Sequence, residues 1–286
     1  MTMDDRAARS AQRADQTALR VDGLTVRFGG LVAVDGVTFD VDEGKILGII
    51  GPNGAGKTTM FDAISGLTPV DAGTLHLADD DVTHISAHAR AQRGLGRSFQ
   101  DGRLFGSLTV SECIGVAVSR HHAATGPLSI AFGGPLARRA TKKARDRAHE
   151  VIELTGLERY ADTYVRELST GTRRIVDFAC AVAHGPSVLL LDEPSSGIAQ
   201  KEVDQLGPML HKLRVDTGCT MLLIEHDINL VTSVSDELLV LETGRVLRKG
   251  EPEQVVRDPE VIRAYLGTDR DLARVVGARM AREAPP

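Results

Sequence analysis

The sequence predicts an α/β fold built on a parallel sheet, with antiparallel strands ahead of it and a helical insertion within it. Three observations lead there. Continuous apolar runs of strand length recur, a glycine-rich loop joins one of them to a helix, and the character changes between about residues 101 and 166. At 286 residues, with 42% hydrophobic and 26% charged side chains, the chain can bury a sizeable core.

Residues 1–17 read as a disordered tail. Met1 to Gln16 is polar, rich in Arg and Asp, and lacks the apolar segment of a secretory signal. Order is expected from Ala18. Leu19, Val21, Leu24 and Val26 lean towards alternation, as do Val32-Ala33-Val34 and Val37, Phe39, Val41. With Asp22-Gly23 and Asp35-Gly36 as turns between them, these read as short antiparallel strands. Lys45-Ile46-Leu47-Gly48-Ile49-Ile50 suits a strand covered on both faces. Lys57 to Ser65 reads as a helix stopped by Gly66, and Gly73 to Leu77 as a strand.

Within the insertion, glycines and prolines predict an exposed loop near Ala123–Pro135, followed by a helix from Ala137 to Leu154. The basic stretch Lys142 to Arg147 reads as that helix's solvated face. A helix from about Arg173 ends at His184-Gly185-Pro186, and Val188-Leu189-Leu190-Leu191 is a buried strand. Lys201 to Arg214 is a helix and Met221 to Ile224 a second buried strand. Leu238 to Leu241 and Arg245 to Leu247 flank a Thr243-Gly244 turn. Beyond them, Leu272, Val275, Val276 and Met280 fall at helical spacing.

A net charge of −5, 3% aromatic residues and the lack of Trp argue against nucleic acid as a partner. Cys113, Cys180 and Cys219 are scattered and odd in number, which fits reduced thiols better than a disulfide frame or a zinc site. No apolar run approaches the ~20 residues that cross a bilayer, so membrane association is expected to come through a partner.

Gly51-Pro52-Asn53-Gly54-Ala55-Gly56-Lys57-Thr58 matches the pattern G-x-x-x-x-G-K-[ST] at every fixed position. Small residues let the backbone curl so that successive N–H groups point at phosphate oxygens, and the following helix adds its positive end. In such a loop the lysine reaches the β- and γ-phosphates of ATP and the Thr58 hydroxyl ligates Mg²⁺. A strand preceding the loop and a helix following it supply the required context. Asp192 and Glu193 follow the apolar run 188–191, at the end where a parallel sheet delivers residues to a ligand. Alone, that pair reads equally as a helix cap or a solvated strand end. Together with the phosphate loop it reads as a magnesium ligand and a water-polarising carboxylate.

At this point the chain resembles the ABC-transporter ATPases, from Leu19 to Gly267. Leu168-Ser169-Thr170-Gly171-Thr172 stands where that family carries its Leu-Ser-Gly-Gly-Gln signature. By itself Ser-Thr-Gly before a helix is a common N-cap. The resemblance implies that Ser169 and Gly171 bind the γ-phosphate held by a second ATPase subunit. It implies nucleotide contacts along Gly51 to Thr58 and at Thr59, with Phe28 against adenine. It also implies Gln100 at the Mg²⁺ and water beside Thr58 and Asp192, and His226 at the γ-phosphate. A lone His at a strand end is usually structural, and a Phe flanking a strand is usually core; the motif order is what suggests otherwise. Thr170 and Thr172 depart from the signature, and Ala199 lacks the carboxylate that helps the family couple its two sites.

Phe28-Gly29-Gly30-Leu31-Val32-Ala33-Val34, Arg103-Leu104-Phe105 before Leu108-Thr109-Val110, and Pro259 to Gly267 resemble the ATP-binding subunits of branched-chain amino-acid importers. The lipopolysaccharide-export ATPase shares part of this pattern. The fold so implied is a RecA-like P-loop NTPase core with an antiparallel β subdomain and an inserted α-helical subdomain. It spans residues 18–267, with the insertion at about 101–166 and a C-terminal tail at 268–286. Glu193, His226 and Lys57 are the expected catalytic residues. Expected partners are a second ATPase subunit, transmembrane permease subunits and, indirectly, a solute-binding protein, at the cytoplasmic face of the membrane. A regulatory ATP-binding module with weak turnover is the alternative that Ala199 and Thr172 suggest. Leu104, Phe105 and Leu108 read equally as a notch for a permease helix and as the subdomain's own core.

Overall fold

The computed structural model describes residues 16–98, 104–119, 135–197 and 200–266. β1 (Thr17–Phe28) and β2 (Leu31–Asp42) form one long antiparallel hairpin closed at Gly29-Gly30. The two Asp-Gly pairs expected as turns lie inside these strands instead. The β1–β2 register shifts between Val21 and Leu24 and again between Leu24 and Val26. Gly23 sits there with φ +62, its N–H donating to Thr38 Oγ1 at 2.9 Å. A residue in that left-handed conformation bends a strand without ending it, and glycine adopts it without a Cβ clash. Strand wins over turn because Leu19, Val21, Leu24, Val26, Val34, Val37, Phe39 and Val41 are then all buried together. β4 (Ala72–Leu77) pairs with β1 and β5 (Asp80–Asp81) with β4, giving a four-stranded antiparallel sheet in the order β2-β1-β4-β5.

The second sheet has six strands in the order β10-β9-β3-β8-β7-β6. These are β3 (Ile46–Ile50), β6 (Leu95–Arg97), β7 (Val188–Asp192), β8 (Thr220–Ile224), β9 (Glu237–Glu242) and β10 (Arg245–Gly250). β9, β3, β8, β7 and β6 run parallel, and β10 returns antiparallel at the edge. Every residue of β3, β7 and β8 is buried, which is why their sequences read as unbroken apolar runs. Successive side chains still alternate between two cores. Leu47, Ile49, Val188 and Leu190 join the antiparallel sheet and Met60, Phe61 and Ile64; Ile46, Ile50, Leu189 and Leu191 join the other cluster.

Met60, Phe61 and Ile64 belong to α1 (Lys57–Ser65), which ends at Gly66 as the sequence predicts. The cluster on the opposite face gathers residues of α3 (Val110–Ser119), α4 (Pro135–Thr155), α5 (Thr170–Ala183), α6 (Gln200–Thr217) and α7 (Ile228–Val234). The short helix α2 (Ala87–Gln92) precedes β6, and α8 (Pro252–Arg257) and α9 (Pro259–Leu266) close the described chain. In α4, Lys142, Arg145 and Asp146 are exposed while Ala148, Val151 and Ile152 are buried, the amphipathic division expected of a surface helix. The expected loop near Ala123–Pro135 and the helical spacing after Asp271 fall outside the described residues, apart from Pro135. No described helix is long and apolar enough to cross a membrane.

Cys113, Cys180 and Cys219 are free thiols, Cys113 and Cys219 buried. Burial pushes the thiols of Cys180 and Cys219 up to about 12. As packed apolar groups they lack the lowered pKa that makes a thiolate reactive.

Candidate functional site

The parallel sheet sends three loops out of its carboxyl edge side by side. β3 leads into Gly51–Gly56, β7 into Glu193–Gly197, and β8, which lies between them, into Glu225–Asp227. An open α/β sheet binds its ligands at this edge.

The loop after β3 is tightly supported. Gly56 takes φ +96, and a Cβ there would lie 2.3 Å from the Ala33 carbonyl oxygen of β2. Any larger residue would push the hairpin off the loop. Gly244, in the turn between β9 and β10, fastens the same two elements: its N–H donates to Ala55 O at 3.0 Å and its carbonyl accepts from Asp35 N at 2.8 Å. Lys57 is buried and folds over its own loop, Nζ donating to Gly51 O at 2.6 Å and Pro52 O at 3.1 Å. Asn53, Gly54 and Thr58 are exposed and Thr59 half-buried. The loop thus presents an open face lined by backbone.

Phe28 lies at the hairpin tip, 54% exposed and so outside the core. The core alternative for this ring is thereby corrected, because the Gly29-Gly30 turn carries it past the last buried pair of the ladder.

Asp192 ends β7 and is buried. Its Oδ2 accepts from Arg97 Nη2 at 3.4 Å, while Oδ1 has no hydrogen-bond partner among the described residues. Burial raises its pKa; Arg97 opposes that rise, and Glu193 and Asp62 add to it. A buried carboxylate oxygen without a donor, on a strand tied through Arg97 to α1, fits a hard divalent cation that also takes phosphate oxygens. No cluster of three or more His, Cys, Asp or Glu forms an all-protein metal cage among the described residues. Gln100 and Ala199 fall outside the described residues.

Glu193 adopts φ +49, uncommon for a residue with a side chain and costly by about 1–3 kcal/mol. Its backbone is held at both ends: the N–H donates to Ile224 O at 2.9 Å, and the carbonyl accepts from Arg174 Nη1 of α5 at 3.2 Å. The result is a direct pairing with His226, Nε2 to Glu193 Oε1, at 2.9 Å. A carboxylate can only accept, so the ring nitrogen donates. Glu193 and His226 come from different strands and are expected to work on the same atom; the fold places them together.

Ser169 is the N-cap of α5, its Oγ accepting from Thr172 N at 3.1 Å and lying 2.9 Å from Thr172 Oγ1. The capping reading therefore holds, and Thr172 is buried beneath it. Ser169 is exposed, and no hydrogen bond joins it to the phosphate loop among the described residues.

Two residues escaped the sequence reading. Arg97 bridges Asp192 to Asp62 of α1 at 2.6 Å and to Ser65 Oγ at 2.8 Å. Glu225 accepts from Ser195 and from the His226 backbone. Each was visible as a charged residue ending or following an apolar strand, but the partners that give it a role, Asp62 and Asp192 for Arg97 and Ser195 for Glu225, lie far away in sequence.

Residues 34–196 match the family model described as ABC transporter. The chain belongs to this family. As an ABC ATPase it is a nucleotide-binding, ATP-hydrolysing domain. Residues 249–271 match a second model, the branched-chain amino acid ATP-binding cassette transporter. This ABC chain is 40% identical over 249 residues to the high-affinity branched-chain amino acid transport ATP-binding protein BraF of Pseudomonas aeruginosa, covering 87% of this chain and 97% of that one. It is 33% identical to the lipopolysaccharide export system ATP-binding protein LptB of Escherichia coli, covering 88% and 98%. Among solved structures, the ADP conformation of MJ1267, an ATP-binding cassette of an ABC transporter, superposes with a TM-score of 0.74 at 27% identity. That match covers 88% of this chain and 99% of MJ1267.

Proposed function

We propose that this ABC ATPase drives a membrane permease for branched-chain amino acids or related small solutes, working as one of two ATPase subunits at the cytoplasmic face of the membrane. The observation that carries the catalytic reading is the convergence of the phosphate loop, Asp192, Glu193 and His226 on one edge of the sheet, with Glu193 and His226 2.9 Å apart. The substrate class is supported by the greater identity to BraF than to LptB and by the match at 249–271. An exporter resembling LptB is the second reading. A regulatory module with weak turnover would have no use for the Glu193–His226 pairing.

In this reading the N–H groups of Gly51–Thr59 and the N-terminal end of α1 hold the phosphates. Lys57 turns from Gly51 O and Pro52 O to the β- and γ-phosphates, and the Phe28 ring lies against adenine. Thr58, Asp192 and Gln100 would hold Mg²⁺, which supplies neutralisation of charge on the phosphate oxygens when bound. Glu193 orients and polarises the attacking water, and His226 keeps that carboxylate directed while facing the γ-phosphate. Ser169 is exposed at the N-terminal tip of α5 and Gly171 is buried in its first turn, with no hydrogen bond from Ser169 to its own phosphate loop among the described residues, so in this reading a complete site needs two domains arranged head to tail.

The test is Glu193→Gln. Turnover should fall ~10²–10³-fold while ATP stays bound and the dimer is retained on gel filtration. Hydrolysis at the parent rate would remove Glu193 from the mechanism. Substrate class is read separately, by ATP-driven uptake of labelled leucine into vesicles bearing the copurified permease. Uptake supports the importer; ATP-dependent lipid extraction without uptake supports the exporter.

A further inference from the structure

Glu225 is 2% exposed at the end of an apolar strand, where a hydrophobic residue would be the cheaper choice for stability. Both of its oxygens are used. Oε1 accepts from Ser195 N at 2.8 Å, and Oε2 accepts from Ser195 Oγ at 2.6 Å and from His226 N at 3.2 Å. Burial pushes its pKa up, and the bonds from Ser195 and His226 pull against that rise. The two backbone partners can only donate, so the site calls for an acceptor on each oxygen, which an ionised carboxylate supplies.

The partners are informative. Ser195 lies two residues after Glu193, and His226 directly follows Glu225. One carboxylate thus fastens both backbones that carry the 2.9 Å Glu193–His226 pair. Glu193, in its unfavourable left-handed conformation, is also held by its own N–H to Ile224 O and by its carbonyl, which accepts from Arg174 Nη1 and Ser196 N. The phosphate loop is anchored elsewhere, by the β2 hairpin and the β9–β10 turn.

We infer that Glu225 is a positioning residue for hydrolysis, clamping the loop after β7 to the end of β8 so that Glu193 and His226 stay in register. The inference rests on the catalytic reading of Glu193 proposed above. It separates turnover from binding. Loosening the clamp displaces the water-orienting carboxylate without touching the phosphate cradle, and such displacements cost up to ~10²-fold in rate.

The experiment compares Glu225→Gln, Ser195→Ala and Glu193→Gln in the purified full chain, measuring ATPase kcat, binding of a fluorescent ATP analogue, and Tm. Glu225→Gln keeps the size but turns an NH₂ towards N–H donors. It should lower kcat about 10- to 100-fold with analogue affinity within about twofold. Ser195→Ala, at a half-buried loop position that tolerates a lost methylene-sized hydroxyl, should show a smaller kcat loss of the same kind. Added to Glu193→Gln, neither change should slow hydrolysis further, because both act through Glu193. Parent kcat in Glu225→Gln, with Glu193→Gln inactive, overturns the clamp and leaves the catalytic reading standing. An active Glu193→Gln overturns the catalytic reading itself. Equal losses of analogue affinity and kcat mark Glu225 as merely structural and overturn the inference. Should Glu225→Gln not fold, Ser195→Ala decides: unchanged kcat there overturns it.

Discussion

Arg97 shows how much one buried side chain can organise. Its guanidinium spans Asp62 and Ser65 of α1 and Asp192 of β7, and lies 5.9 Å from the centroid of the Phe61 ring. Only a planar fork can reach all of these at once; a lysine has one nitrogen to offer. Removing one partner of a buried ion pair leaves a charge uncompensated, at a cost of about 3–5 kcal/mol. Arg97→Met should therefore lower the unfolding free energy by about that amount in urea titration, and Arg97→Lys should recover only part of it. A methionine variant as stable as the parent would mean that the carboxylates are already satisfied without the arginine. Nothing near Arg97 in sequence announces this role, since Asp62 and Asp192 lie 35 and 95 positions away.

α1 has to present its N-terminal end to phosphate, so its C-terminal end must be secured independently. Gly66 does part of this, its N–H reaching back to Ala63 O at 3.1 Å. Arg90 of α2 does the rest: Nη1 donates to Ala63 O at 2.5 Å and Ile64 O at 2.6 Å, and Nη2 to Thr83 O at 2.8 Å. A cation at a helix C-terminus is favoured by the helix dipole, and bonds from a charged group contribute about 1.5–3 kcal/mol. Arg90→Leu leaves three buried carbonyls without this donor and should lower Tm clearly, whereas Arg93→Ala, at the exposed C-cap of the same helix, should barely move it. Equal melting temperatures would show that Arg90 is not a cap of consequence.

Such elements divide by how locally they are encoded. The phosphate loop was legible because its chemistry needs consecutive residues, and β3, β7 and β8 because burial on both faces leaves an unbroken apolar run. β6 was not, because it has three residues and is held by pairing with β7. The Asp-Gly bulges were misread because the dipeptide is the same in a turn and a bulge; only cross-strand burial distinguishes them. Glu225 stood in plain view beside His226, yet its meaning depends on Ser195, 30 positions earlier.

Under the proposed function the molecule as a whole also transmits the state of its ATP site to a permease, and the segment 104–109 offers a surface for that. It is braced from behind: Val165 N donates to Leu108 O at 2.9 Å and Arg166 N to Gly106 O at 3.3 Å. The apolar residues expected either as notch or as core turn out to be divided. Leu104 and Leu108 are half-buried against the helical cluster, while Phe105 is 62% exposed, with Tyr164 also exposed nearby across the Thr109–Tyr164 bridge. Exposed aromatic rings on a braced loop suit the apolar face of a short permease helix. Phe105→Glu isolates that role, because a change at an exposed position should alter stability by no more than about 0.5 kcal/mol. ATP binding and Tm should stay at parent values while copurification with the permease and ATP-driven uptake are lost. Leu108→Glu would confuse the two roles, since it buries a charge in the helical cluster. If Phe105→Glu leaves uptake unchanged, the permease docks elsewhere, and the exposed ring has to be explained without it.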